Sequence, residues 1–248
     1  MEWTPNAIEG RIVAGGNGDG NRIDQLDQPT DVIIDRQNNS LIIADWGNKR
    51  VVRWARQTNV HGQIIVSDID CRGLALHEDG SLYVTDCAKD EVRRWKKGET
   101  QGTIVAGGNG RGRDLNQLHN PTCLSVTNDH TLYISDHDNH RVMKWMKDAK
   151  EGIVVTGGND EGHLATQLSR PLGLIVDRFC QIYVADFGNH RVMRWSEGIQ
   201  EGACIVGTDG KGEKANQLNS PIGLSMDNEG HLYVVEKENH RIGKFEIN

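Results

Sequence analysis

Cysteine is scarce here, with 5 in 248 residues, and the odd number excludes a framework that pairs every thiol. Proline also numbers 5, phenylalanine only 3, and aromatic residues make up 5% of the chain. No apolar run approaches the roughly 18 residues a membrane-spanning helix needs. No stretch carries apolar residues at helical spacing, which excludes solenoids that place a helix in each repeat. An excess of base is missing as well. The 28 Lys and Arg stand against 35 Asp and Glu, and the formal net charge of −7 argues against a broad nucleic-acid or anionic-membrane surface. The opening MEWTPNAIEG has no basic segment followed by an apolar one, so the sequence assigns no compartment. What remains is a chain with 36% hydrophobic residues and 29 glycines without a collagen period, which reads as folded, turn-rich and soluble.

What the chain does have is repetition. The phrases ADWGNKRVVRW, SDHDNHRVMKW and ADFGNHRVMRW end at Trp54, Trp145 and Trp195. Aligning on the terminal aromatic adds Trp95 and Phe245, and the steps are 41, 50, 50 and 50 residues. An acidic residue stands nine positions upstream each time, at Asp45, Asp86, Asp136, Asp186 and Glu236. Before it lie two short apolar runs separated by a turn, as in GLIVD (173–177) and QIYVAD (181–186). After it come a short loop, a third apolar run ending at the aromatic, and a fourth such as GACIVG (202–207). Four antiparallel strands per period of about 40 to 50 residues predict a β-propeller blade.

In the innermost strand, Leu74, Leu124 and Leu174 are expected to pack between blades. Their alternates Asp31, Gly73, Cys123, Gly173 and Gly223 are expected to face the central channel. The expected fold is therefore all-β, a single five-bladed propeller over 1–248. Its blades fall at approximately 29–67, 71–107, 121–157, 171–207 and 221–248 plus 9–15, and the N-terminal strand closes the ring. The Trp3 to Gly10 spacing repeats that of Trp95 to Gly102, so the chain begins inside a blade. A truncated fragment of a six-bladed parent stays open as the alternative.

The segments NHRVMKW, NHRVMRW and NHRIGKF, each following an acidic residue, resemble NHL repeats over essentially the whole chain. Asn-His-Arg is intact at Asn139-His140-Arg141, Asn189-His190-Arg191 and Asn239-His240-Arg241. It departs to Asn48-Lys49-Arg50 and to Lys89-Asp90-Glu91. The acidic residue ends the second strand and the arginine begins the third. Asp45 with Arg50, Asp136 with Arg141 and Asp186 with Arg191 are thus expected to clamp the turn between them. The resemblance implies several functions: protein binding, RNA binding, or a metal-assisted lyase or hydrolase like the amidating lyase.

Connections from the fourth strand to the next first strand, and from the second to the third, share one face of the disc. Variation on an invariant frame makes that face the expected binding surface. Trp46, His137, Asp138 and Phe187 stand there, with Asp31 in the channel. Aromatics around the mouth suit a peptide or other ligand, and they equally suit a cover for loop leucines. Both readings stay open at this point. No predicted channel position is a histidine and no nucleophile–histidine pair is expected, so the reading is a non-catalytic scaffold without cofactor or metal. It takes a protein or peptide partner rather than nucleic acid or a membrane. A monomer is expected, or a swapped oligomer if the ring fails to close. Cys71 and Cys87 fall opposite one another if the hairpin centres on Asp79, a register in which a disulfide is possible. A slip of one residue separates them.

Overall fold

A computed structural model describes residues 1–4, 7–56 and 62–247. The first blade comprises β1 (Pro29–Asp35), β2 (Ser40–Asp45), β3 (Arg50–Ala55) and β4 (Gln63–Ser67). The second comprises β5 (Cys71–Leu76), β6 (Leu82–Asp86), β7 (Glu91–Trp95) and β8 (Thr103–Gly107). The third comprises β9 (Pro121–Val126), β10 (Leu132–Asp136), β11 (Arg141–Trp145) and β12 (Ile153–Gly157). The fourth comprises β13 (Pro171–Val176), β14 (Ile182–Asp186), β15 (Arg191–Trp195) and β16 (Ala203–Val206). The fifth has β17 (Pro221–Met226), β18 (His231–Glu236) and β19 (Arg241–Glu246). Each blade is an antiparallel meander with its strands in sequence order. The protein is an all-β, five-bladed propeller.

Every residue of β6, β10 and β14 is buried, because each sheet lies between two others. That is why these strands read as continuous apolar runs and not as alternating ones. The cores are accordingly shared between consecutive blades. Ile42, Val51 and Val66 of the first meet Leu74, Leu82 and Trp95 of the second. Tyr133 and Val142 of the third meet Leu174, Val184 and Trp195 of the fourth. The inner strands pack in series as β1, β5, β9, β13 and β17. A Cβ at Gly73 would stand 2.5 Å from the Thr122 carbonyl oxygen, and one at Gly173 would stand 3.0 Å from Cα of Gly223. Only glycine permits so close an approach of neighbouring backbones.

The expected seal does not form. Among the described residues β19 has no outer partner, and Ile242 on it is 67% exposed. Residues 1–4 and 7–14 lie instead against the first blade. Glu2 pairs antiparallel with Arg11 and its carboxylate bridges to Arg56. Ala14 packs on the cluster of Ile43, Val52 and Trp54. The Glu2–Arg11 pair occupies the same place relative to Trp3 and Gly10 that Lys144–Ile153 occupies relative to Trp145 and Gly152. The leading segment thus takes the position of the third and fourth strands of a blade, joined by a single isolated bridge and not by a strand ladder. Strands of one blade pair with each other before they can pair across the ring. The face of β1 beside this segment stays open, with Val32 and Ile34 over half exposed.

A second expectation gives way in the hairpin of the second blade. Cys71 aligns with Asp86, so Cys87 lies one position beyond, and both are free thiols. The bulge between Cys71 and Leu74 supplies the slip.

Candidate functional site: the channel mouth

The turns that follow β2, β10 and β14 are single 3₁₀ turns, Trp46–Asn48, His137–Asn139 and Phe187–Asn189. Each ends on a left-handed residue, namely Lys49, His140 and His190. The acidic residue beneath holds the whole corner. In the third blade, Arg141 Nε donates to Asp136 Oδ2 at 2.7 Å, and Asn139 Nδ2 donates to the same oxygen at 2.8 Å. Asp136 Oδ1 accepts the His119 N–H at 2.7 Å. The other guanidinium nitrogens reach the carbonyls of Arg113, Asp114 and Gln117 in the preceding long loop. The same set recurs for Asp45 with Arg50 at 2.6 Å and for Asp186 with Arg191 at 2.8 Å. It recurs again for Glu236 with Arg241 at 2.6 Å. The histidine has its own task. His140 Nδ1 accepts the Arg170 N–H, and His190 Nδ1 accepts the Ser220 N–H, each at 3.1 Å and each in the next blade. Asp90 does the same for Asn120 at 2.8 Å where the motif lacks histidine.

On this frame the mouth carries the variable residues. Trp46 Nε1 donates to Asp70 Oδ1 at 2.6 Å, and the guanidinium carbon of Arg72 lies 5.0 Å from the Trp46 ring centroid. Cys87 donates to the Asp70 carbonyl at 3.1 Å, and burial first, then Asp70, pushes its thiol up to about 11. That keeps it protonated and poorly nucleophilic at neutral pH. His137 Nδ1 meets Asp138 at 2.8 Å. Burial lowers His137 despite Asp138, with Arg72 and Arg170 adding to the fall. Burial opposes ionisation of Asp138 too, but His137, Asn120 and His119 bring its carboxyl below the ordinary value. Phe187 is half-buried at the start of its turn. Asp31 accepts the Val32 N–H at 2.8 Å and the Leu74 N–H of the neighbouring inner strand at 2.7 Å, and burial pushes it up to about 6.

Trp46, Arg72, Cys87 and His137 therefore form one neighbourhood across the first three blades. Asp31 stands apart on β1, beside the opening between that strand and the leading segment. Arg72 is the residue that sequence reading overlooks. The other blades carry Thr30, Thr122, Leu172 and Ile222 at its position, and a lone cation among them was the available signal. Among the described residues it has no ion-pair partner, and its Nε is buried without a hydrogen bond. Arg170, exposed, also acts on His137.

The cations on the third strands lie elsewhere, with Lys144 and Lys244 each 5.7 Å from the rings of Tyr133 and Tyr233. Groups with the atoms to hold a metal, among the described residues, occur only in hairpins at the opposite rim.

The five meanders and their shared cores make this chain a β-propeller. Residues 218–245 match the NHL repeat family, and that match together with the five blades fits an NHL-repeat propeller. A search of the curated proteins finds no match. Among solved structures the chain resembles an auxiliary nutrient binding protein from Bacteroides thetaiotaomicron. The identity is 17% and the TM-score 0.70, over 90% of this chain and 60% of that one. It resembles a gluconolactonase from Xanthomonas campestris at 14% identity and TM-score 0.67, over 91% and 78% of the two chains. It also resembles a chain of a nidogen/laminin complex at 18% identity and TM-score 0.69, over 90% and 78%. At these identities the likeness shows the fold alone. Binding proteins and enzymes both occur among the neighbours.

Proposed function

We propose that the protein is a non-catalytic binding scaffold whose mouth takes a carboxylate-bearing segment of a protein or peptide. The observation that carries this reading is Arg72, over the Trp46 ring and without an ion-pair partner among the described residues, on a chain of net charge −7. A guanidinium over an indole, with Cys87 as its other neighbour, keeps its planar donors in one place and can offer them to a carboxylate. The rings of Trp46, His137 and Phe187 offer apolar area around it. Two features support binding over catalysis. The Cys87 thiol stays protonated, and Asp138 is held by His137 and Asn120, so neither is poised as nucleophile or base. The tyrosine-packed lysines speak against a nucleic-acid face.

Selection of a random 12-mer display library against the immobilised protein is expected to enrich Asp- and Glu-bearing peptides. Arg72→Ala is expected to weaken the enriched peptides about tenfold, close to 1.4 kcal/mol, with the loss shrinking as salt rises. An acid-free consensus, or affinity unchanged in both Arg72→Ala and Trp46→Ala, would remove the proposal.

A further inference from the structure

A cavity of about 220 Å³ lies between the outer strands of the second blade and the third blade, toward the rim away from the mouth. Ile104 of β8 with Leu132 and Trp145 of the third blade form its apolar wall. Its charged side chains are Arg94 of β7 and, on the turn after β11, Lys147 and Asp148.

Comparison of the blades shows what is unusual at this place. A cation stands one position before the terminal aromatic in every blade, as Arg53, Arg94, Lys144, Arg194 and Lys244. Two places in the repeat supply it with an acid. One lies at the end of the first strand of its own blade, where Asp35 meets Arg53 at 3.3 Å and Asp227 lies 4.0 Å from Lys244. The other lies two residues beyond the aromatic of the next blade, where Glu197 pairs with Lys144. Arg94 has neither. Pro29 and Cys71 face the acid of the second strand in their blades, which puts His77 where the first blade has Asp35. Lys147, two residues beyond Trp145, stands where the fourth blade has Glu197. Among the described residues neither Arg94 nor Lys147 forms an ion pair, and Arg94 Nε is buried without a hydrogen bond.

The other titratable groups nearby leave these cations uncompensated. His130 Nδ1 lies 2.8 Å from the Tyr83 hydroxyl, and its ring stacks on that of His77 with centroids 3.8 Å apart. Burial first, then His77, holds His130 below its ordinary value; Asp79 opposes this, and Lys147 and Arg94 add to the fall, so the ring is neutral at neutral pH. Asp79 is turned to the histidines and to its own turn. Its Oδ1 lies 2.8 Å from His77 Nδ1 and accepts the Ser81 N–H at 2.8 Å, and its Oδ2 lies 3.6 Å from His130 Nε2. The lining therefore carries two cations and one carboxylate, Asp148, and a net charge of +1.

We infer that this cavity binds a small organic monocarboxylate, its carboxylate taken by Arg94 and Lys147 and its apolar body set against Ile104, Leu132 and Trp145. One negative charge matches the net charge of the lining, and a guanidinium offers a carboxylate planar, charge-assisted donors. Two cations that face one cavity repel each other until an anion enters. Size narrows the ligand further. An apolar cavity of about 150 Å³ takes benzene, so 220 Å³ accommodates a ring that bears a carboxylate. Drug-sized ligands occupy pockets of about 300 Å³ and more. The cavity stands at the other rim from the mouth, and the inference does not rest on the function proposed there.

The test titrates the full chain with benzoate and follows the indole N–H signals of its 6 tryptophans by heteronuclear NMR. Trp145 Nε1 donates to the carbonyl of Ala149, another lining residue, at 3.0 Å. Its signal should shift and saturate with a Kd of about 1 mM or below. Benzamide, of the same shape without the charge, should bind at least tenfold more weakly, and inorganic phosphate should not displace benzoate. Arg94→Gln should weaken benzoate at least tenfold. Lys147→Glu gives Arg94 the acid that Glu197 gives Lys144, so this variant should fold as the parent does and lose benzoate. The inference falls if the Trp145 signal does not move, if benzamide binds equally, if phosphate displaces benzoate, or if both variants bind as the parent does. A shift confined to the Trp46 signal would place benzoate at the mouth and overturn the inference while leaving the function proposed there standing.

Discussion

Replacing Arg141 with methionine is expected to destabilise the protein by about 3–5 kcal/mol, the usual result of leaving one partner of a buried ion pair alone. The Arg141 side chain is 6% exposed and Asp136 is fully buried, so water does not compensate the carboxylate. The same change orphans three loop carbonyls that the guanidinium satisfies. For a chain of this length each kcal/mol moves the melting temperature by about 2–4 °C, so a fall of at least about 6 °C should appear by calorimetry. The pH dependence adds a second check. Burial holds Asp136 above its ordinary value against the pull of Arg141 and Asn139. A raised folded-state value contributes stability that is present below the unfolded value and lost as pH rises through the folded one. Loss of Arg141 raises it further. The deficit of the variant should therefore be greatest at neutral pH and narrow on acidification. A deficit under about 1 kcal/mol at neutral pH would mean the clamp contributes no more than an exposed ion pair.

Asp31→Asn carries the other large effect, and its sign is opposite. Burial raises this carboxyl from 3.8 to about 6, with the Leu74 and Val32 N–H groups lowering it only in part. The stability this group contributes is complete below 3.8 and disappears as pH climbs through 6. Asparagine has no such titration. The variant should gain on the parent by about 2–3 kcal/mol between about pH 4 and about pH 8. Exchanging one acceptor oxygen for an amide adds a constant offset and leaves the pH-dependent gain unchanged. Denaturant midpoints at several pH values measure it, and a difference that stays flat would show that Asp31 is solvated.

The blades were legible because each strand solves a local problem that the sequence repeats. Asp136 and Arg141 are five residues apart and face one another wherever a strand ends, turns and begins again, so their spacing discloses the corner. The corner's other contacts are less visible. That Arg141 also grips residues 113–117 depends on where the long loop folds back, and no local pattern encodes it. The role of His140 toward Arg170 in the next blade is hidden for the same reason. Ring closure failed as an expectation because matching two unpaired ends by type ignores order in the chain. Glu2 finds Arg11 nine residues away sooner than either finds β19. Of the mouth, Trp46 and His137 were readable as variable positions, whereas Arg72 lies inside a strand and draws its meaning from Trp46 of another blade. The His77–His130 pair spans two hairpins 53 positions apart, beyond any motif spacing.

The bare flank of β19 makes the molecule asymmetric in time as well as in shape. Blades two to four are gripped from both sides, while among the described residues the inner strand of the fifth packs on that of the fourth alone, and in tandem architectures stability passes only between adjacent units. Opening should therefore begin at the C-terminal wedge and travel inward, like a fan folding from one rib. Backbone deuterium uptake followed by mass spectrometry should run fastest through 231–246 and slowest in β10 and β14, whose amides sit deepest in that sequence of events.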